Sequence, residues 1–426
     1  MFAILRGKSL LCILGCALVV RIGAAVVVQS YLDSRTPPRQ FVIAGDANGY
    51  WELANRIHRG ESYEVHGRKI LRMPGFPAVM AVAIGLNQLI DSQADGFLAA
   101  RLLMAVIGTA ACFLVYRLGA DLFNQTVGLL AAGWVAISPT LVGFGALLLS
   151  ETIFALTLLM TLVAGLKSVR AIEMNQSTKT CLGWGLVAGF ATASAVYIRP
   201  GWILAAPVFC VALVGFAAAH QRRVAMGTAI ALILGLVIAL FPWAWRNHNV
   251  SGHWVFTTLW AGASLYDGLS PTATGDSDMT FIEVEQPFAS MNEYEVDRHY
   301  RDRSIEFVKN NPGRTLQLAI AKLSRYWSPI PNADQFSGWM MATIAVLSFI
   351  PLLLLAICGG WMYRRNGWVL LLTVGPIVYF AGIHSVFVGS IRYRLPAEYP
   401  LSVLAAVALC EILKLRTKDV GQNVSV

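Results

Sequence analysis

The sequence predicts an all-α polytopic membrane protein with about 11–12 transmembrane helices. Three observations carry that prediction. Of the 426 residues, 56% are hydrophobic and 13% are charged, whereas a soluble domain carries about 25% charge. The mean hydropathy is +0.60. Apolar runs of about 17–25 residues, the length that crosses a bilayer core, recur along the whole chain rather than at one end. The net charge of +9 belongs in cytoplasmic loops. It forms no dense basic stripe, so nucleic acid is not expected as a partner. The seven cysteines lie in or beside apolar segments without metal-ligand spacing and read as small buried hydrophobes. The chain has no G-x-x-x-x-G-K-[ST] loop, so no nucleotide cofactor is expected.

The first span is 9–30, and Arg6 and Lys8 before it put the N-terminus inside. It is too long for a simple signal peptide. Residues 31–73 then form an outer polar loop. Within it, Tyr50 to His58 reads as an amphipathic surface helix, with Leu53, Ala54 and Ile57 on one face. Pro74 suits the start of the next segment. Spans are expected at 74–90, 97–118 and 121–137, with a polar gap from Asp91 to Asp95. A single crossing over 121–150 would leave Lys167, Arg170 and Lys179 outside. Splitting it into 121–137 and a short 139–150 repairs the parity and puts Glu151 on the outer side.

Further spans follow at 151–166, 181–198, 202–219 and 224–243, with Arg222-Arg223 in an inside loop. A long outer interval covers 244–337 and contains an amphipathic interfacial helix at 315–328. Spans at 338–360, 368–384 and 396–412 complete twelve crossings, and 413–426, with Lys414 and Arg416, forms a short cytoplasmic tail. The expected organisation is a single transmembrane domain over 1–412, with 31–73 as its catalytic loop.

This topology gathers charge on the outer face. The acids are Asp46, Glu52 and Glu151, and the bases are Arg72, Arg199, Arg246, Arg392 and Arg394, with Tyr50, Tyr197 and Tyr393 beside them. Ionisable groups at a membrane are costly unless paired or solvated. Arginines massed against the positive-inside bias point to an anionic ligand such as a phosphate, gripped by guanidinium forks. Lipid phosphates or local acids are the plainer partners.

For a lipid-linked sugar phosphate, Asp46 is the candidate base that removes an acceptor proton, and the arginines bear the charge of the departing phosphate. Glu151, Tyr50 and Tyr393 are candidates to position the acceptor. A divalent metal (Mg, Mn or Zn) has candidate ligands in Glu151, His253 and His66, although no H-x-x-x-H or H-E-x-x-H pair is present. Seen locally, Asp46 is equally a helix cap.

The motifs in order resemble a known family. Gly45-Asp46-Ala47-Asn48-Gly49-Tyr50 after the first span is similar to the acidic motif of GT-C membrane glycosyltransferases. The similarity is to the bacterial protein-mannosyltransferase and aminoarabinose-transferase group, the family 39-like enzymes. Arg72-Met73-Pro74-Gly75-Phe76-Pro77 resembles the element opening their second span. Ala100-Arg101-Leu102, Leu149 to Phe154, Tyr197-Ile198-Arg199-Pro200 and Arg392 to Pro396 also fit.

The resemblance implies a GT-C fold and sugar transfer from a polyprenyl-phosphate donor with inversion. It also implies Asp46 as base and a bacterial cytoplasmic membrane with the active site on its outer face. Two departures leave the acceptor open among protein, glycolipid and polysaccharide. Asp46-Ala47 stands where true protein mannosyltransferases have two acids, and Arg72-Met73-Pro74 replaces the Glu-Lys-Pro of aminoarabinose transferases. The large soluble C-terminal domain of some relatives is not expected. A secondary transporter is the main alternative; it would place its key charges near the mid-membrane. An envelope polysaccharide ligase or polymerase is a second, although the early aspartate does not fit it.

Overall fold

A computed structural model describes residues 2–90, 95–331, 336 and 338–414, with side chains from Lys8 onward. Residues 91–94 of the polar gap and 415–426 of the expected tail, Arg416 included, lie outside the described residues. Among the described residues the architecture is helical, with one isolated bridge between Val65 and Arg68.

α1 (Phe2–Asp33) leads to α2 (Ala44–Arg59) and α3 (Gly75–Ile90). Then come α4 (Phe97–Leu122), α5 (Gln125–Ile137), α6 (Pro139–Gly145), α7 (Glu151–Glu173) and α8 (Thr178–Ile198). They are followed by α9 (Ala205–Gly215) and α10 (Arg222–Ser251). The long interval carries α11 (Ala261–Gly268), α12 (Thr280–Glu285), α13 (Glu293–Asn310) and α14 (Pro312–Trp327). α15 (Trp339–Met362), α16 (Gly367–Thr373), α17 (Gly375–Val386) and α18 (Leu395–Ile412) close the bundle.

Among the described residues, seven helices are long and apolar enough to cross a membrane. Two bent pairs, α5–α6 at 60° and α16–α17 at 56°, and two shorter apolar helices, Gly75–Ile90 and Pro200–Gly215, account for the other expected segments. α18 and α7 form the centre, with 83% and 72% of their most apolar windows buried. Helices apolar all round belong in such positions.

Contacts between helix ends define the two ends of the bundle. At one end, Asp46, Arg72, Glu151, Arg199 and Arg392 meet. At the other, Asp121 after α4 pairs with Lys167 at 3.2 Å and Arg170 at 3.6 Å near the end of α7. Phe216 past α9 packs on Trp368 of α16 there, with ring centroids 5.2 Å apart. Phe123 likewise meets Tyr363 past α15 at 4.9 Å.

The structure differs from the expected crossings in two places. α3 does not run from end to end: it begins against the carbonyl of Tyr197 at the charged end of α8. It then lies alongside α2, with Tyr50 edge-on to Phe76 at 5.0 Å and His58 bonded to Gln88 at 2.8 Å. α2, with Asp46, Glu52, Arg56 and Arg59, is a surface helix, so α3 beside it lies on the surface too. Residues 121–150 make one broken passage instead of two. The two differences cancel in parity, so Glu151 stays beside Asp46, and Lys167 and Arg170 stay at the opposite end.

The break between α5 and α6 has a local cause. Pro139 has no N–H, so the carbonyl of Val135 loses its helical partner. Arg21, buried in the middle of α1, donates from Nη2 to Val135 O at 3.0 Å and from Nη1 to Ala136 O at 3.1 Å. Gly108 leaves the space that the guanidinium fills. A bent backbone is tolerated within a membrane only when its freed groups find such partners.

Elsewhere, small residues let helices close up. A Cβ on Gly185 would lie 2.5 Å from Thr228 O, and one on Gly235 would lie 2.6 Å from Leu186 O, so α8 and α10 meet backbone to backbone. The long interval is tied to the first loop: Glu293 accepts from Lys69 N at 2.6 Å and Ile70 N at 3.0 Å.

Gly185→Leu should lower the thermal midpoint in detergent, with an overpacking cost of about 1–3 kcal/mol. Gly183→Leu, on the same helix with nothing within 4 Å of its Cβ position, should leave the midpoint nearly unchanged. Equal effects would count against the close α8–α10 contact.

Candidate active site

Asp46 is not a cap. The N-cap position of α2 is Ile43, and Asp46 lies in the first turn, where a carboxylate complements the helix dipole. Its Oδ1 accepts from Arg72 Nη2 at 2.6 Å, and its Oδ2 lies 3.0 Å from Arg392 Nη2. Tyr50, one turn along α2, holds Arg72 over its ring at 5.0 Å. Gly75 permits the turn after Arg72, because a Cβ there would lie 2.6 Å from Tyr197 O.

Glu151 opens α7 and is 2% exposed. Its Oε1 is shared by Arg199 Nη2, at 2.8 Å, and Arg392 Nε. Its Oε2 has no hydrogen-bond partner among the described residues. Arg199, at the end of α8, also donates from Nε to Ser150 Oγ at 3.2 Å. Arg392 leaves a short 3-10 turn, Ile391–Tyr393, and its own N–H donates to the capping Ser390 Oγ. Arg392 therefore bridges the two carboxylates. Tyr393 follows it, with Arg199 over its ring at 5.5 Å and His384 stacked on it at 4.0 Å.

Three guanidiniums thus face two carboxylates, which leaves one formal positive charge. Burial pushes the Asp46 carboxyl up, but Arg72 and then Arg392 outweigh it and hold the group well below the usual carboxylate range. Burial raises the Tyr393 phenol against the nearby Arg392, so it stays a hydrogen-bond donor at neutral pH. The site can bind an anion and keep a carboxylate ionised beside it.

The other predicted residues are placed elsewhere. Arg246 was expected at the donor phosphate; instead it donates to Lys69 O at 2.6 Å and Tyr63 O at 2.9 Å, and so clamps the first loop. Arg394 is 2% exposed and held by Glu398 at 2.8 Å and by the carbonyls of Tyr326 and Ser328, both at 2.9 Å. A short turn sends residues two apart in different directions, which separates it from Arg392. Glu52 pairs with Arg56 along α2, and Tyr197 bonds Ala239 O.

His66 sits exposed in the left-handed region at φ 51°, in a turn closed by Val65 and Arg68. His253 is exposed and stacked on Tyr294 at 3.6 Å. The three expected metal ligands, Glu151, His253 and His66, are therefore not brought together. No group of three His, Cys, Asp or Glu forms a cation site among the described residues. Since guanidiniums already neutralise both carboxylates, this donor set does not fit a resident divalent ion.

The sequence assigns no role to Ser150, which stands inside the Leu149 to Phe154 motif, or to His384. His384 ends a predicted span, and that position at the outer boundary was its only signal. Nothing in the sequence marked Arg21, because the apolar run around it hides one cation.

Solved structures share this fold. Archaeal oligosaccharyltransferase AglB from Archaeoglobus fulgidus, in complex with an inhibitory peptide and a dolichol-phosphate, aligns with a TM-score of 0.57 at 14% identity. The alignment covers 95% of this chain and 50% of that one. The same enzyme tethered to an acceptor peptide gives 0.57 at 15% identity, with the same coverage. Its complex with Zn and sulfate gives 0.54 at 14% identity, again over 95% and 50%. The chain thus spans about half the length of this archaeal relative.

The architecture is the GT-C fold of membrane glycosyltransferases. By sequence, residues 77–245 match the family model of dolichyl-phosphate-mannose-protein mannosyltransferases. That stretch holds Glu151 and Arg199, whereas Asp46, Arg72 and Arg392 lie outside it. No curated protein matches the chain by sequence.

Two measurements test these assignments. Arg394→Met should cost about 3–5 kcal/mol of stability, because it strands a buried carboxylate; a thermal midpoint close to wild type would contradict this. Asp46→Asn should show a pH-dependent effect. A carboxyl lowered in the folded state contributes stability above its ordinary value, which is lost as pH falls toward the folded value. The stability gap between wild type and variant should therefore stay flat from about pH 5 to 8 and shrink only below about pH 4.

Proposed function

We propose that the protein transfers a sugar from a polyprenyl-phosphate donor to an acceptor at the outer face of the bacterial cytoplasmic membrane. The observation that carries this reading is the Arg392 bridge between Asp46 and Glu151, flanked by Arg72 and Arg199. It puts an ionised carboxylate beside cations suited to a phosphate.

In the reaction, the acceptor hydroxyl or amine attacks the anomeric carbon as the bond from that carbon to the phosphate oxygen breaks. The bonding pair leaves with polyprenyl phosphate, and a single displacement inverts the sugar carbon. Arg72, Arg199 and Arg392 take up the charge that develops on the phosphate. Asp46 receives the acceptor proton.

A carboxylate held by two arginines is a weak base. Donor phosphate competes for Arg72 and Arg392, which loosens their hold on Asp46 and raises its basicity. Base strength is thus coupled to an occupied donor site. No step runs through a metal.

The membrane orientation follows from charge. Lys167 and Arg170 lie at the opposite end, and Gln221, next to Arg222, bonds Ile172 O there at 2.9 Å; the positive-inside bias makes that end cytoplasmic. An apolar cavity lined by Trp202, Phe209, Leu232, Leu371 and Tyr379 suits the donor hydrocarbon. Its wall residue Trp202 packs on Phe154 at 6.2 Å, and Arg199 lies 5.7 Å above Phe154, so the cavity and the charges are neighbours.

In membranes supplied with a labelled polyprenyl-phosphate sugar, Asp46→Asn should lose about 10²–10⁴-fold in transfer while still binding polyprenyl phosphate. Full transfer by this variant would remove Asp46 as the base.

A further inference from the structure

The turn bearing Arg392 docks on α14, a helix outside the bundle. Arg325 Nε of α14 donates to Gly389 O at 3.2 Å. Farther along, Arg394 Nη1 donates to Tyr326 O and Ser328 O at the end of α14. Gly389 lies so close to Lys322 O that a Cβ there would collide with it, and its N–H donates to Gly275 O at 3.1 Å. Both flanks of the Arg392 turn are therefore seated on one helix.

At the centre of this seat is a group the proposed reaction does not use. Lys322 is completely buried. Its ammonium donates to Val386 O at 2.6 Å and Ser385 O at 3.4 Å, the last carbonyls of α17. A cation complements the negative end of a helix there. A methionine would fill nearly the same space without the desolvation cost of a buried charge. What the ammonium adds is direction, since two carbonyls just ahead of Gly389 are bonded to one point on α14.

We propose that Lys322 is a positioning residue for Arg392: its ammonium ties residues 385–389 to α14 and so sets the Arg392 guanidinium between Asp46 and Glu151. Its relevance to catalysis rests on the proposed donor reading, but its effect on the segment does not.

The groups facing the ammonium are few. From α11 comes Asp267, whose carboxylate is taken by Ser277 Oγ and Asp278 N, each at 2.7 Å. Asp278 itself binds Thr280, and Asp276 is held by Arg325 at 2.6 Å. From α17 comes His384, whose Nδ1 lies 2.8 Å from Val388 O. Burial pulls Lys322 down to about 8, with Asp267 opposing, so the tie should release as pH rises through that value.

The test uses the full chain in nanodiscs of phosphatidylethanolamine and phosphatidylglycerol. Amide exchange over 386–394 and binding of polyprenyl phosphate are measured from about pH 6.5 to 9.5, a range that brackets the Lys322 value. Lys322→Met should speed exchange in that segment and weaken phosphate binding, each about tenfold, and should abolish the alkaline loosening seen in wild type. Lys322→Arg should keep the segment protected and move the loosening to higher pH.

Unchanged exchange at 386–394 in Lys322→Met overturns the proposal. If that variant does not fold, Lys322→Arg decides: a loosening that stays at about pH 8 overturns it. Faster exchange in Lys322→Met, with no polyprenyl phosphate binding even by wild type, supports the positioning role and removes the donor reading instead.

Discussion

The structure of the site depends on one guanidinium serving two carboxylates. Asp46 comes from a surface helix near the start of the chain, Glu151 from the top of a central helix, and Arg392 from a turn near the end of the described residues. Each alone would be an expensive charge at a membrane boundary. Together, with Arg72 and Arg199, they form a network with one formal charge to spare, which favours an anion. The same pairing keeps Asp46 ionised and makes it a poor base until something competes for its partners.

This arrangement requires that three distant pieces of chain keep their register. The first loop is held by Arg246 and by Glu293, both of which bind backbone rather than ligand. The Arg392 turn is held by α14 through Lys322, Arg325 and Arg394. Several charges that resemble ligand contacts in sequence therefore spend their hydrogen bonds on carbonyls. Arginine suits this work, because its fork of donors satisfies several acceptors at once. The outer loops are built by the same residue types that make the site.

The bundle solves a similar problem in its interior. The helix interrupted at Pro139 is stabilised by Arg21, which replaces the donor that proline lacks. An intramembrane arginine is ordinarily a sign of a transport pathway. Here three of its hydrogen bonds go to carbonyls, those of Ala17, Val135 and Ala136.

Local composition and residue order encode the crossings and the rare charges between them. Long apolar runs require helices in a bilayer, and basic residues orient them. The acidic turn at Asp46 and the Ser150-Glu151 step were legible because charge is rare in so apolar a chain. Tertiary structure alone decided which charges meet. Arg392 and Arg394 differ by two positions and look alike in sequence, yet one bridges the acids and the other is sealed against Glu398, because the direction of a side chain in a short turn depends on what the turn packs against. The lateral course of α3 was also invisible, since an apolar segment of sixteen residues suits either a short crossing or a surface position. Its neighbour α2 settles which. The link between Lys322 and Arg392 joins residues seventy positions apart, and only the packing of α14 on the end of α17 brings them into one unit.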